Sequence, residues 1–405
     1  MAVDFLPFAN DAGAANVVTQ AAYAAAATGG YVQYGFSAGL APSNQLNKVW
    51  RQSSVMTAAI ANMVSTALTA DVLDSGGAAS IAALQAQLVA AIQAVAVSAL
   101  PPITPQGRLT LTTNTPVLAA DVSNTAVVYY TAYTGNFVPV WNGASFTNLS
   151  FAADLTLTLT SAASSNSIVD VFAINNGGVL AIGFGPVWAT ATPGSGARGS
   201  GAGTTAIVRT GGIWTNANVI TLLNGATTYA NVPAGRATYL GSVSVNAVAG
   251  QTTCLGTWGQ SRKWGVWNAY NRTHIQMIAG DATASWTNVP SSWRVSNNNT
   301  ANSILAFTGL PEEPILSWFT QTLFNNNRNS QLGIGWNSTA APSGLNGRYE
   351  PHPVGASATQ MNAAFSPQPT LGAQSVYCME LGSGDANGVF SGGQGNMQLM
   401  VEYNG

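Results

Sequence analysis

The sequence predicts a mainly β protein, in which an N-terminal helical segment precedes two β-sandwich-like domains. Three observations lead there. The first hundred residues are alanine-rich and place apolar side chains at helical spacing. From Arg108 onward, runs of β-branched and aromatic residues are punctuated by Asn-Gly turn dipeptides. No helical stretch interrupts those strand signals, the pattern of a sandwich or barrel.

The helical part, residues 1–100, divides into three stretches. Val17 to Ala27 is a short alanine-rich helix stopped by Gly29-Gly30. A second helix, with Ser43 as its expected cap, carries Leu46, Val49, Trp50, Met56, Ile60, Met63 and Val64 on one face, with Lys48 and Arg51 opposite. Asp71 to Gly77 breaks the chain, and a third helix runs from about Ala79 to Leu100. Its Ile81, Leu88 and Val95 share one heptad position, Leu84 and Ala91 share another, and Ile92 widens the apolar face. One such helix is marginal alone in water. The residues Ile81, Leu84, Leu88, Ile92 and Val95 are therefore expected to form an oligomer seam between identical chains, with packing inside the monomer as the alternative. Although no charge falls between Asp74 and Arg108, Gln85, Gln87 and Gln93 argue against membrane insertion, as does the lack of a basic flank or aromatic belt.

Pro101, Pro102 and Pro105 make residues 101–106 a stiff connector. Residues 107–250 read as a β-sandwich spacer. Strand runs begin at Leu109, Val127, Leu155 and Ile168, and turns fall at Asn142-Gly143, Asn176-Gly177 and Asn224-Gly225. The run from Gly194 to Gly203 reads as a flexible surface loop. It lacks the Lys-Ser or Lys-Thr and the following helix that a phosphate-cradling loop needs. Residues 251–405 form a C-terminal β-rich domain with strands at Ile304, Ser375 and Met397, Asn-rich loops, and seven of the eleven tryptophans.

Only 6% of the 405 residues are charged, and Lys48 and Lys263 are the only lysines. Neutral polar faces suit a protein exposed outside a cell or buried among its own copies, because few groups titrate and few long charged side chains must be ordered. A net charge of −2 offers no basic field for nucleic acid. Cys254 and Cys378 are expected as buried, reduced side chains. The N-terminus lacks a basic region and a long apolar run, so synthesis in a cytoplasm and export by assembly are expected.

The run from Phe5 to Tyr23 (Phe-Leu-Pro-Phe-Ala-Asn-Asp at its start) resembles the beginning of tail-fibre proteins of tailed bacteriophages, as does Gln45-Leu-Asn-Lys-Val-Trp-Arg-Gln-Ser-Ser. Gly107-Arg-Leu-Thr-Leu-Thr, Tyr129-Tyr-Thr-Ala-Tyr-Thr-Gly-Asn, Arg236-Ala-Thr-Tyr-Leu-Gly and Trp267-Asn-Ala-Tyr-Asn-Arg resemble phage fibre modules. The likeness covers roughly residues 1–300. It implies a virion component that attaches to tail or baseplate proteins by its N-terminus, forms a homotrimer and contacts the host surface, and it brings no catalytic residues. The low charge of this chain departs from that family.

Catalytic chemistry is short of residues. His274 and His352 are the only histidines, too few for a His-rich metal site, and no nucleophile elbow is present. Carboxylates for glycan cleavage would come from Asp281, Glu312, Glu313, Glu350, Glu380 and Asp385. Glu312-Glu313 between prolines reads as a solvated turn, and Asp385-Ala-Asn387-Gly388 as an acidic turn, with bound calcium as the alternative. No enzyme activity, cofactor or metal is therefore expected. Glycan contact without cleavage suits Trp286, Trp293 with Arg294, Trp318, and Trp336 with Asn337, since sugar rings stack on indoles and amides bond hydroxyls. A place in the core is the plainer expectation for each of these tryptophans. A virion decoration or baseplate protein without receptor binding is the first alternative function, and a glycan depolymerase the second.

Overall fold

The computed structural model describes residues 3, 5–8, 16–36, 41–74, 77–99, 102–325, 330–348, 357–368, 370–382, 384 and 388–405. The chain is mainly β with an N-terminal helical region. It divides into two compact units at Pro101/Pro102, inside the expected proline connector.

The first unit contains α1 (Gln20–Ala25), α2 (Tyr31–Tyr34), α3 (Ser43–Leu68) and α4 (Gly77–Ala99). Thr19 caps α1 by accepting the Ala22 N–H at 3.2 Å, so the helix starts three residues later than the alanine-rich run suggests. Ser43 does not cap α3. Pro42 holds the cap position with extended geometry and Ser43 is the first helical residue, its hydroxyl accepting from the Asn16 amide at 3.0 Å. α3 ends at Thr69, which is left-handed at φ 51°. α3 and α4 meet over Ala61, Val64 and Ala91, joined by Val72. Small alanines at the contact let the backbones approach closely. As a result Met56, Ile60 and Met63, expected on the packed face of α3, stand exposed.

The second unit runs from Pro102 to Gly405. Each of the three Asn-Gly turns closes a hairpin: Phe137–Trp141 with Phe146–Ser150, Ile168–Asn176 with Val179–Val187, and Ile220–Asn224 with Thr227–Val232. Gly177 and Gly178 both take positive φ, 63° and 92°, as a two-residue hairpin loop requires.

The hairpin of Ile168–Asn176 and Val179–Val187 lies at the centre of an eight-stranded sheet that also includes Ala237–Ser244. Ile168, Phe172, Ile174 and Tyr239 face one apolar core, shared with Ile304, Phe319, Leu332, Val376 and Leu399 of a fourteen-stranded sheet. Val169, Val171, Ala173 and Val243 face a second core, shared with Leu109, Val128, Tyr130 and Leu157 of a three-stranded sheet. The middle sheet is thus covered on both sides, which explains why its strands read as continuous apolar runs rather than alternating ones. Cores and sheets cross the position 250/251 at which the sequence reading divides its two β-domains; Val122–Thr125, for instance, pairs with Thr252–Leu255.

Close approach fixes one glycine in this region. A Cβ at Gly241 would sit 2.1 Å from the Trp267 carbonyl oxygen, where Ala237–Ser244 bulges against its neighbours. Arg108, buried in the first strand of the unit (Gly107–Thr110), donates to the carbonyls of Pro116 (2.9 Å), Asn271 and Gly405 (3.0 Å). Burial without a carboxylate partner lowers its pKa to about 10.

The Gly194–Gly203 run is not the free loop expected from its glycines. Arg198 turns inward and bonds Asp170, and its guanidinium lies 4.5 Å from the Trp188 ring centre. Asp170 shares the face of Phe172, so an ionised group in that core requires a cation brought to it. The loop supplies one.

Candidate functional site

The strand Leu316–Asn325 alternates strictly: Ile315, Ser317, Phe319, Gln321 and Leu323 point inward, while Leu316, Trp318, Thr320, Thr322 and Phe324 point out. Trp318 is 42% exposed. Register places Met400 and Ala364 opposite Trp318, Gln398 and Asn362 opposite Thr320, and Gln360 opposite Thr322. One strand further, Gln276 lies opposite Glu402 and donates to its carboxylate at 2.6 Å. An open indole therefore stands between Met400 and Ala364 on the sheet, with the neutral amides of Asn362 and Gln398 two residues along.

A cleft of about 290 Å³ adjoins this face, lined by His274, Glu313, Leu316, Glu402, Tyr403 and Asn404. His274 Nε2 is 3.7 Å from Glu402, and Asn404 donates to Glu313 at 2.7 Å. His274 and Glu402 come from strands more than a hundred residues apart, with Glu313 from a turn between them, and sequence spacing did not reveal the grouping. Its alternation with the inward Ile315, Ser317 and Phe319 was the available signal for Trp318.

Of the other expected contact residues, Trp286, Trp293, Arg294 and Trp336 are half-buried and Asn337 is exposed, and most of them are engaged by neighbours. Trp286, half-buried and stacked 6.5 Å from Phe390, donates its indole N–H to Glu380 at 2.7 Å. Arg294 donates to the other Glu380 oxygen at 2.7 Å and to the Thr287 carbonyl at 3.2 Å. Trp293 is half-buried on the same short strand, Trp293–Val295. Glu380 itself is fully buried, and burial raises its pKa above the usual carboxylate range despite the bonds from Trp286 and Arg294. Trp336 and Asn337 converge on the Gln374 side-chain oxygen at 3.0 and 2.8 Å, and Asn337 accepts the Ser375 N–H at 2.8 Å.

The carboxylates considered for glycan cleavage are occupied where they are described. Asp281 is buried; that burial opposes its charge, but bonds from Asn302 (2.8 Å), the Thr283 N–H (2.9 Å) and Asn297 (3.1 Å) hold its pKa below the usual range. Glu312 and Glu313 are no free solvated pair, since both bind Arg272. Glu350, His352 and the Asp385–Asn387 turn lie outside the described residues. Among the described residues no group of three or more His, Cys, Asp or Glu could hold a metal ion, and no helix is long and apolar enough to cross a membrane. Cys254 and Cys378 are buried and unbridged, and burial raises both thiol pKa values.

In the helical unit, Leu84 and Leu88 pack half-buried against α3, while Ile81, Ile92 and Val95 remain 69%, 54% and 49% exposed. Ile81, Leu84 and Leu88 line an apolar groove of about 380 Å³ together with Phe5, Ile60 and Val64.

No protein-family model matches the chain. No curated protein matches it either. Among solved structures, a Bacillus thuringiensis Cry1Da tryptic core variant aligns at 7% identity with a TM-score of 0.18, covering 78% of this chain and 61% of that one. A likeness at that level carries no argument about fold or activity.

Proposed function

We propose that this chain is a non-enzymatic tail-fibre component of a phage virion, assembled in the host cytoplasm and exposed outside it. In this reading residues 1–100 join tail or baseplate proteins and hold a homotrimer. Residues 107–250 are a sandwich-like spacer, and residues 251–405 are a sandwich-like region that touches a host-surface glycan, the middle sheet being common to both. The observation that carries the host-contact reading is Trp318: an exposed indole on a paired strand, flanked by Met400 and Ala364, with the amides of Asn362 and Gln398 two residues along the neighbouring strands. Sugar rings stack on such faces while amides bond their hydroxyls. The uncovered Ile81, Ile92 and Val95 support association through α4, because a surface of that kind is stabilised by burial against another.

The deciding experiment has two parts. Labelled electron microscopy of particles should find the chain on the tail, and host adsorption should fall when Trp318→Ala replaces the native residue. A chain that is absent from particles sinks the virion reading. Adsorption that is indifferent to Trp318→Ala sinks the contact assignment, and adsorption that needs neither this chain nor Trp318 favours a purely structural decoration or baseplate role.

A further inference from the structure

A groove of about 580 Å³ opens at the seam of the eight- and fourteen-stranded sheets, apart from the Trp318 face. Ile168 and Ser244, paired across adjacent strands, form one wall. Leu305 and Ser375, likewise paired, form the other, and Thr192-Pro193 and Asn337 border the space. Its volume falls within the range of small-molecule sites, and the residues that line it carry no charge.

The polar groups of the groove are arranged as if for a ligand. Ser244 is only 3% exposed, and its backbone N–H and C=O are bonded to Gly265 (2.9 Å) and Thr252 (2.8 Å). Its hydroxyl makes no hydrogen bond within the described chain, and neither do the Thr192 and Ser375 hydroxyls. Thr192 is exposed, Ser375 is half-buried, and none of the three hydroxyls is sealed from water, so a guest in the groove would exchange their water for its own hydrogen bonds. Asn337 is held in place by Gln374 and the Ser375 N–H, which leaves one amide hydrogen to donate. Pro193 and Leu305 supply apolar surface between these groups.

We infer that this groove binds a short neutral saccharide, its hydroxyls meeting Ser244, Thr192, Ser375 and Asn337 and its C–H faces resting on Pro193 and Leu305. Acidic sugars are disfavoured because no cation lines the groove to offset the cost of removing a carboxylate from water. The site is distinct from the Trp318 face, and the inference stands whether or not the chain belongs to a virion.

The test is titration calorimetry and saturation-transfer NMR on the full chain. The neutral probes are glucose, galactose, mannose, N-acetylglucosamine and their disaccharides; the acidic probes are glucuronic and N-acetylneuraminic acid. Neutral probes should bind and acidic ones should not. Binding should weaken about tenfold or more in Ser375→Phe, which fills the groove, and in Ser244→Val, and should survive Trp318→Ala. Thr192→Trp, on an exposed loop, blocks the same space should Ser375→Phe fail to fold. The inference is overturned if no neutral probe binds, if acidic probes bind equally well, or if a folded groove-filling variant binds as the native chain does.

Discussion

Arg198 grips Asp170 through two hydrogen bonds, 2.7 and 3.2 Å long, with both side chains closed off from water. Thr205 and Ser242 bond the same carboxylate at 2.8 and 2.6 Å, and Tyr239 bonds both Arg198 and Ser242. Burial opposes the guanidinium charge, but Asp170 and Tyr239 outweigh it and raise the Arg198 pKa. Removing the cation strands a carboxylate in an apolar core. Arg198→Met should therefore cost about 3–5 kcal/mol in urea denaturation. It should also expose residues 194–203 to protease in the folded state, and a variant as stable and as resistant as the native chain would contradict this account.

Lys263 is a half-buried cation with no carboxylate partner among the described residues. Its ammonium donates to the Val245 carbonyl (2.9 Å) and the Asn246 side-chain oxygen (3.0 Å), and burial lowers its pKa to about 8. Between that value and the ordinary 10.5 the unfolded chain holds a proton that the folded chain has released. Stability contributed by this group therefore rises with pH across that window. Lys263→Met should gain stability over the native chain at pH 7, and the gain should shrink as pH rises from 8 towards 10. Comparing the two chains is essential, because Cys254 and Cys378 act oppositely above pH 9, where the unfolded thiols ionise first. A pH-independent difference between the chains would refute the argument.

Ile81 and Ile92 are exposed, so Ile81→Gln with Ile92→Gln should leave the stability of a single chain within about 1 kcal/mol. The mass measured by light scattering should nonetheless fall from three chains towards one. Unchanged mass, or a native chain that is already single, removes α4 as the seam.

Trp318→Ala should preserve the circular dichroism spectrum and cost about 1 kcal/mol or less, since its neighbours Phe319 and Ser317 carry the inward packing. Loss of host-glycan binding on an array, with the binding of small neutral saccharides retained, is the expected result in that folded variant, and Trp286→Ala is its counterpart. Because Trp286 stacks on Phe390 and bonds the buried Glu380, its removal should lower stability more than binding.

Local chemistry made the hairpins legible: Asn142-Gly143, Asn176-Gly177 and Asn224-Gly225 supply the backbone freedom a tight turn needs, whatever lies beyond them. The pairing of His274–Ala279 with Met397–Asn404 had no such marker, because strands that meet across more than a hundred residues leave no trace in spacing. The same limit hid the site. Trp286, Trp318 and Trp336 look alike in sequence, and only the register of the sheet turns Trp318 outward while Glu380 and Gln374 hold the other two. Arg198 was masked differently, since nine residues of glycine, serine and alanine suggest freedom and the one arginine among them removes it.

The middle sheet has a consequence for synthesis. A ribosome that has delivered residues 168–244 has made a sheet whose Phe172 and Tyr239 side await Phe319, Val376 and Leu399, still to be translated. Until then that side is bare hydrocarbon and sticky to its neighbours. Cutting the gene near codon 250 should accordingly yield insoluble material rather than a shorter working piece.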